Sequence, residues 1–353
     1  MKYLFYCNSA YQLINAINLH WHMIETCEKT NYQGDLLILN VFSGAEEIYS
    51  KLKENEIFSN ISIAKRPKYN SMFISLEVLL GIINPKYFIS ITGCTGIDSF
   101  EDKYDYIVTT KFSKLPAAIW QINRNAKIIL YEDGLATYSN NVSLSPNSGM
   151  YKMFYKLFNH NRSFDMYECL YLNYPEMYIG NMDKVKSMPR LNDNQINVLK
   201  SYFCNNQMDD NKQIYWFGQY IGKEVSQMIC DSLQKYANYV LYKPHPRYPF
   251  YYDAFATEEN GIWELDILNI SDIEKKYLIT IHSTAVFTPK ILYDKEPYII
   301  LAYRLLKDYD SKIESSIQKF VNSYSSKEKI MIPNTFEELT QNIDSCLEGN
   351  ITV

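Results

Sequence analysis

The sequence predicts an α/β protein built on parallel sheets. Three observations carry that prediction. Short runs rich in Ile, Val, Leu and Tyr alternate with helical patterns, as strand-helix-strand units do. The alternation stops at a polar stretch, Asn192 to Lys212, and then restarts. The 353 residues suit about two domains of ordinary size.

In the first half the expected strands run over 2–7, 35–42, 61–65, 104–110 and 126–131. The clearest helix between them starts with Ser9 as N-cap and turns Leu13, Ile14, Ile17 and Trp21 to one face. The second series of strands covers 213–218, 238–242, 277–281 and 297–301. A final helix is expected over 334–346, with Asn334 as cap and Glu337 completing a capping box. The expected division is therefore a Rossmann-like domain over 1–195, a second over 210–330 and a terminal helix over 331–353.

Composition excludes several classes. Charged residues make up 21% and hydrophobic ones 47%, values of a folded chain and not of a disordered one. A net charge of -5 supplies no global field for nucleic acid, so no nucleic-acid partner is expected. The seven cysteines include no CxxC pair and no His at metal-ligand spacing, which indicates neither a disulfide framework nor a zinc site. The N-terminus turns polar at Asn8, too early for a secretory signal, so a cytoplasmic location is expected. The most apolar stretch, Met72 to Ile83, contains Glu77 and falls short of the ~20 residues that span a bilayer. It fits a buried helix or a peripheral membrane contact. The 32 tyrosines suit half-polar clefts, because the ring packs while the hydroxyl finds a partner.

Candidate chemistry lies just past strand ends, where open parallel sheets place their ligands. In Tyr131-Glu132-Asp133-Gly134, Gly134 would let the backbone turn sharply and present the carboxylates before it, one of which could act as a base. An ordinary turn with solvated acids accounts for the same residues. In Lys243-Pro244-His245-Pro246-Arg247, two prolines hold one imidazole, and Lys243 and Arg247 add positive charge suited to a phosphate. A structural turn is the alternative. In His282-Ser283-Thr284, hydroxyls and free N–H groups at a helix start could bind an anion, or Ser283 could simply cap the helix; Pro289 also allows a start with Thr288 as cap. Glu264, in Trp263-Glu264-Leu265, could accept both hydroxyls of a ribose with Trp263 stacked on a base or sugar, although a core Trp beside a surface Glu explains the tripeptide equally. Asp308-Tyr309-Asp310 looks like a metal-binding DxD but follows a basic, helical-looking stretch and reads as a solvated face. No glycine-rich dinucleotide, P-loop or GxSxG motif is present.

In this order the Glu-Asp-Gly turn, the His-Pro dipeptide and the later Ser-Thr pair resemble the bacterial sialyltransferases of glycosyltransferase family 52, which act on lipooligosaccharide and capsule. The opening Cys7-Asn8-Ser9-Ala10-Tyr11-Gln12-Leu13 is also similar to that family's first strand and helix. The resemblance implies a GT-B architecture, two Rossmann-like domains facing across a cleft, the first on the acceptor side and the second binding the CMP donor. It implies inverting transfer of sialic acid from CMP-sialic acid to a galactose-terminated glycan, through an α-2,3 bond, with no metal and no cofactor. Position by position it puts the base on Asp133, the motif His on His245 beside Pro246, phosphate-binding hydroxyls on Ser283 and Thr284, and a ribose contact on Glu264. Gly134 belongs to the same donor-binding set. A second serine is usual where Thr284 stands. Peripheral contact with the cytoplasmic face of the inner membrane and a homodimer are compatible with the resemblance. Two alternatives remain open: a polysialyltransferase or another GT-B enzyme using a different activated acidic sugar, and an inactive glycan-binding scaffold.

Overall fold

The computed structural model describes the chain apart from residues 28–31, 43, 66–82, 98, 102, 112, 124, 135–136, 139–166, 204–211, 220–221, 246–249, 258–261, 308, 310 and 349–353. Pro246, Arg247, Asp308, Asp310 and nearly all of the 72–83 stretch lie outside the described residues. The chain divides into two units, residues 1–190 and 191–353.

The first unit holds a parallel sheet of seven strands: β1 Lys2–Cys7, β2 Gln33–Asn40, β3 Asn60–Lys65, β4 Tyr106–Thr109, β5 Lys127–Tyr131, β6 Tyr167–Leu172 and β7 Val185–Ser187. Their spatial order is β3-β2-β1-β4-β5-β6-β7. The central strand β1 is buried from Tyr3 through Cys7, so both of its faces need apolar side chains and it reads as a continuous hydrophobic run. Helix α1, Ala10–Thr26, follows at once, and the Ser9 hydroxyl accepts from Gln12 N at 3.2 Å as its cap. Buried residues surround α1 on most sides and include Gln12, Asn15 and His20, whereas Trp21 is only half-buried. The single apolar face expected for this helix is therefore too narrow. Helices α2 Ala45–Glu54, α3 Pro85–Ile91 and α4 Lys114–Ile122 complete the unit's described helices of more than one turn.

The second unit repeats the plan with six parallel strands: β8 Ile214–Phe217, β9 Val240–Lys243, β10 Ala256–Thr257, β11 Tyr277–Thr280, β12 Tyr298–Leu301 and β13 Ile330–Met331, in the order β10-β9-β8-β11-β12-β13. Each sheet starts in its middle, grows to one side for two strands and then reverses, the Rossmann order. The reversal leaves a switch point between β1 and β4 in the first unit and between β8 and β11 in the second.

Two sequence expectations need correction here. The polar 192–212 stretch is not simply a connection, because Asp193–Phe203 forms helix α5. Its cap is reciprocal: Gln195 N donates to Asn192 Oδ1 and Asn192 N to Gln195 Oε1, each at 2.9 Å, so residues that read as linker are a capping box. Further on lie α6 Lys223–Leu233, α7 Trp263–Asp266, α8 Thr288–Tyr293, α9 Ser311–Ser323 and α10 Phe336–Glu348. The cap of α10 falls one residue later than expected. Glu338 N donates to Thr335 Oγ1 at 3.1 Å, and the Glu338 carboxylate accepts from Asn334 N at 2.7 Å, so Thr335 and Glu338 do the work assigned to Asn334 and Glu337. Helix α10 is tied to the end of α6 by Ser232 to Thr340 at 3.1 Å, and to the turn beyond it by Tyr236 OH, which donates to Asp344 at 2.7 Å.

Candidate functional site

In the first unit the carboxyl ends of β1, β4 and β5 bring four polar side chains together. Strand β5 ends at Tyr131, and Glu132 N still donates to Tyr171 O at 3.1 Å, which prolongs the pairing with β6 by one residue. The chain then turns at Gly134, whose φ of 124° lies where side chains other than glycine's are strained. That turn separates two adjacent acids into different environments. Glu132 is fully buried and accepts from Tyr11 OH, Tyr138 OH, Asn173 N at 2.9 Å and Asn173 Nδ2 at 3.0 Å. Burial raises its pKa above the ordinary carboxylate value, while those four donors oppose the rise. Asp133 keeps 28% of its side chain exposed. Its Oδ1 accepts from Gln12 Nε2 and its Oδ2 pairs with Lys111 Nζ at 2.9 Å. Its own N–H donates to Thr137 Oγ1 at 3.0 Å, and the Gln12 side chain is itself fixed by Asn8 N at 2.8 Å.

The second unit gathers its candidates around β8, β9 and β11. Gly218, after β8, approaches Tyr242 so closely that an added Cβ would lie 2.2 Å from its hydroxyl. Gln219 follows and spans the switch point: its Oε1 accepts from His282 N at 2.7 Å and from Thr280 Oγ1 at 3.2 Å. The Thr280 hydroxyl in turn accepts from Ser283 N at 3.2 Å. Ser283 caps the 3₁₀ turn Thr284–Phe287, accepting from Ala285 N at 3.3 Å, and α8 continues from Thr288. The capping role weighed for Ser283 is therefore present. Ser283 and Thr284 are both half-buried. His282 is half-buried with Nδ1 enclosed and without a hydrogen-bond partner, and burial lowers its pKa below the ordinary imidazole value.

His245 stands two residues past β9, half-buried beside Pro244. Lys243 does not offer the positive charge expected of it. Its ammonium is buried and paired with Asp266 at 2.7 Å, with side-chain exposures of 7% and 14%, because α7 packs against the end of β9. Trp263 is likewise a core residue and not a platform for a base or sugar. Its indole N–H donates to Ala285 O at 2.7 Å and its ring meets Phe217 edge-on at 4.7 Å. Glu264 between them is half-buried, its pKa pushed up to about 7 by burial, with Asp266 adding to the rise and Lys243 opposing it. Its carbonyl oxygen accepts from Tyr293 OH at 2.6 Å.

Sequence reasoning assigned no role to Gln12, Lys111, Gln219 or His282, and left Glu132 as one of two carboxylates that could be the base until the resemblance chose Asp133. The signal that finds three of them is position: Lys111, Gln219 and His282 each come two residues after the end of a strand beside a switch point. Among the described residues, no three His, Cys, Asp or Glu side chains group to hold a metal ion.

No protein-family model matches the chain, and no curated protein matches its sequence. Solved structures do. A protein assigned as a UDP-N-acetylglucosamine 2-epimerase from Listeria monocytogenes is similar over 100% of this chain and 96% of its own, with a TM-score of 0.50 and 11% identity. The spinosyn forosaminyltransferase SpnP is similar over 99% of this chain and 90% of its own, also with a TM-score of 0.50, at 8% identity. The likeness is one of fold: this is an α/β chain of the GT-B class with two Rossmann-like units. That class includes both an epimerase and a transferase, so the chemistry rests on the side chains.

Proposed function

We propose that this chain is an inverting glycosyltransferase that moves sialic acid from CMP-sialic acid to a terminal galactose of a bacterial surface glycan, through an α-2,3 bond. The observation that supports it most is Asp133. It is a carboxylate at the carboxyl edge of a Rossmann sheet, oriented by Gln12 and Lys111 yet still partly open to solvent.

A sugar hydroxyl is a poor nucleophile near neutral pH, so a carboxylate must take its proton as it attacks the anomeric carbon. Asp133 has that part. The bond to the CMP phosphate breaks as the new one forms, and negative charge gathers on the departing phosphate. In the second unit, His245 protonates or neutralises that charge while the hydroxyls of Ser283 and Thr284 donate to the phosphate oxygens. Glu264 takes the ribose hydroxyls. These side chains meet the charge without a metal, so transfer should survive removal of divalent cations by EDTA. Attack from the face opposite CMP inverts the anomeric centre.

One observation favours a second assignment of the base within the same turn. Glu132 has its pKa raised by burial, as a general base working near pH 7 requires, although its enclosure by Tyr11, Tyr138 and Asn173 must open before substrate reaches it. Paired variants decide the matter. Asp133→Asn should abolish transfer with CMP affinity kept, and Glu132→Gln should lower protein stability while leaving measurable transfer. The reverse pattern would hand the role to Glu132; full transfer by both variants would remove the mechanism. His245→Ala should slow transfer and weaken donor use, and an unaffected rate would return it to a turn-making residue.

A further inference from the structure

Lys111 sits two residues past β4, with its side chain 58% exposed and its ammonium on Asp133 Oδ2 at 2.9 Å. On the reading that Asp133 is the base, this pairing opposes the chemistry, because Lys111 engages Oδ2 while Gln12 Nε2 already engages Oδ1, so a substrate hydroxyl meets a carboxylate with both oxygens occupied. The pair is also easily exchanged, since exposed ion pairs contribute little to stability. Asp133 does not depend on it for position: Gln12 Nε2 holds Oδ1 and the backbone is held through Thr137 Oγ1 at 3.0 Å. A second anion can therefore draw Lys111 away and leave Asp133 oriented with Oδ2 uncovered.

The proposed donor brings two anions. Its phosphate is met in the second unit by His245, Ser283 and Thr284. Its sugar carboxylate has no partner in that set and carries the charge and planar shape of the group Lys111 already binds. We infer that Lys111 is a specificity-determining residue that binds the carboxylate of a nucleotide-activated acidic sugar, and that in leaving Asp133 to do so it releases the base. A neutral sugar has no group to exchange for Asp133, so Lys111 stays on Oδ2 and the base stays covered. Selection for acidic sugars is then built into the resting ion pair.

Steady-state kinetics of the full chain test this with CMP-sialic acid as donor and CMP as competitive inhibitor, comparing wild type, Lys111→Met and Lys111→Arg. Losing one charged hydrogen-bonded contact corresponds to an effect on the order of 10- to 100-fold, expected here as a rise in donor KM for Lys111→Met. The CMP inhibition constant should stay at the wild-type value, because CMP lacks the carboxylate, and Lys111→Arg should restore most of the donor KM. An unchanged donor KM in Lys111→Met overturns the inference, and so does a parallel rise in the CMP constant, which would put Lys111 on phosphate. Wild-type protein that turns over no acidic-sugar donor is a separate result: it removes the proposed function and this inference with it.

Discussion

Glu132 and Asp133 share a peptide bond and little else, and the proposed chemistry turns on that difference. One is sealed among four donors, while the other reaches the sheet edge beside an ammonium. Similar reasoning applies to Lys243, which is sealed against Asp266. Lys243→Met leaves a carboxylate in a poorly solvated place without its partner, a change that costs about 3–5 kcal/mol in other buried pairs. Urea unfolding should show a loss of that order, and Lys243→Met with Asp266→Leu should recover most of it. Glu264 makes a pH prediction with a definite sign. Its folded pKa of about 7 stands above the ordinary value of 4.5, so between those limits the folded protein binds more protons than the unfolded chain. Stability should therefore fall as pH rises from about 4.5 to about 7, and Glu264→Gln should remove that part of the slope. A steeper decline in the variant would mean that another group sets it.

At the scale of elements, the sequence was most readable where a strand is central. β1 matches its expected span of 2–7 to the residue, because burial on both faces leaves an uninterrupted apolar run. Edge strands β10 and β13 are two residues each, too short for any pattern to register, and β6 hides its apolar half behind Tyr167 and Glu168. The EDG turn was legible through Gly134, whose positive φ is a backbone need that a sequence can state. The partners Gln12 and Lys111 were not, since they come from elements 121 and 22 residues away that only the sheet brings together. Two substitutions test these elements. Ser9→Ala removes the cap of α1 and should cost about 1 kcal/mol. Gly134→Ala forces a strained backbone and should cost on the order of 1–3 kcal/mol. Because the strain falls on the Asp133 turn, Gly134→Ala should also lower turnover, whereas Ser9→Ala should change stability alone. Both follow from chemical denaturation run beside an activity assay.

At the scale of the whole molecule, the chain carries one strand order twice, and in each unit polar side chains stand beside the reversal of that order, Lys111 in the first and Gln219 and His282 in the second. That repetition explains why similarity to GT-B proteins survives at 11% identity, since a buried parallel sheet constrains hydrophobicity more than it constrains sequence. Among the described residues no helix is long and apolar enough to cross a membrane. Nucleotide release from a panel of CMP- and UDP-activated sugars, with a galactoside acceptor and with wild-type and Asp133→Asn proteins side by side, addresses the account most directly. It predicts CMP release and an inverted sialoside from CMP-sialic acid with the wild-type protein, and almost none with the variant. Turnover of a UDP-sugar instead, or equal CMP release by both proteins, would contradict it.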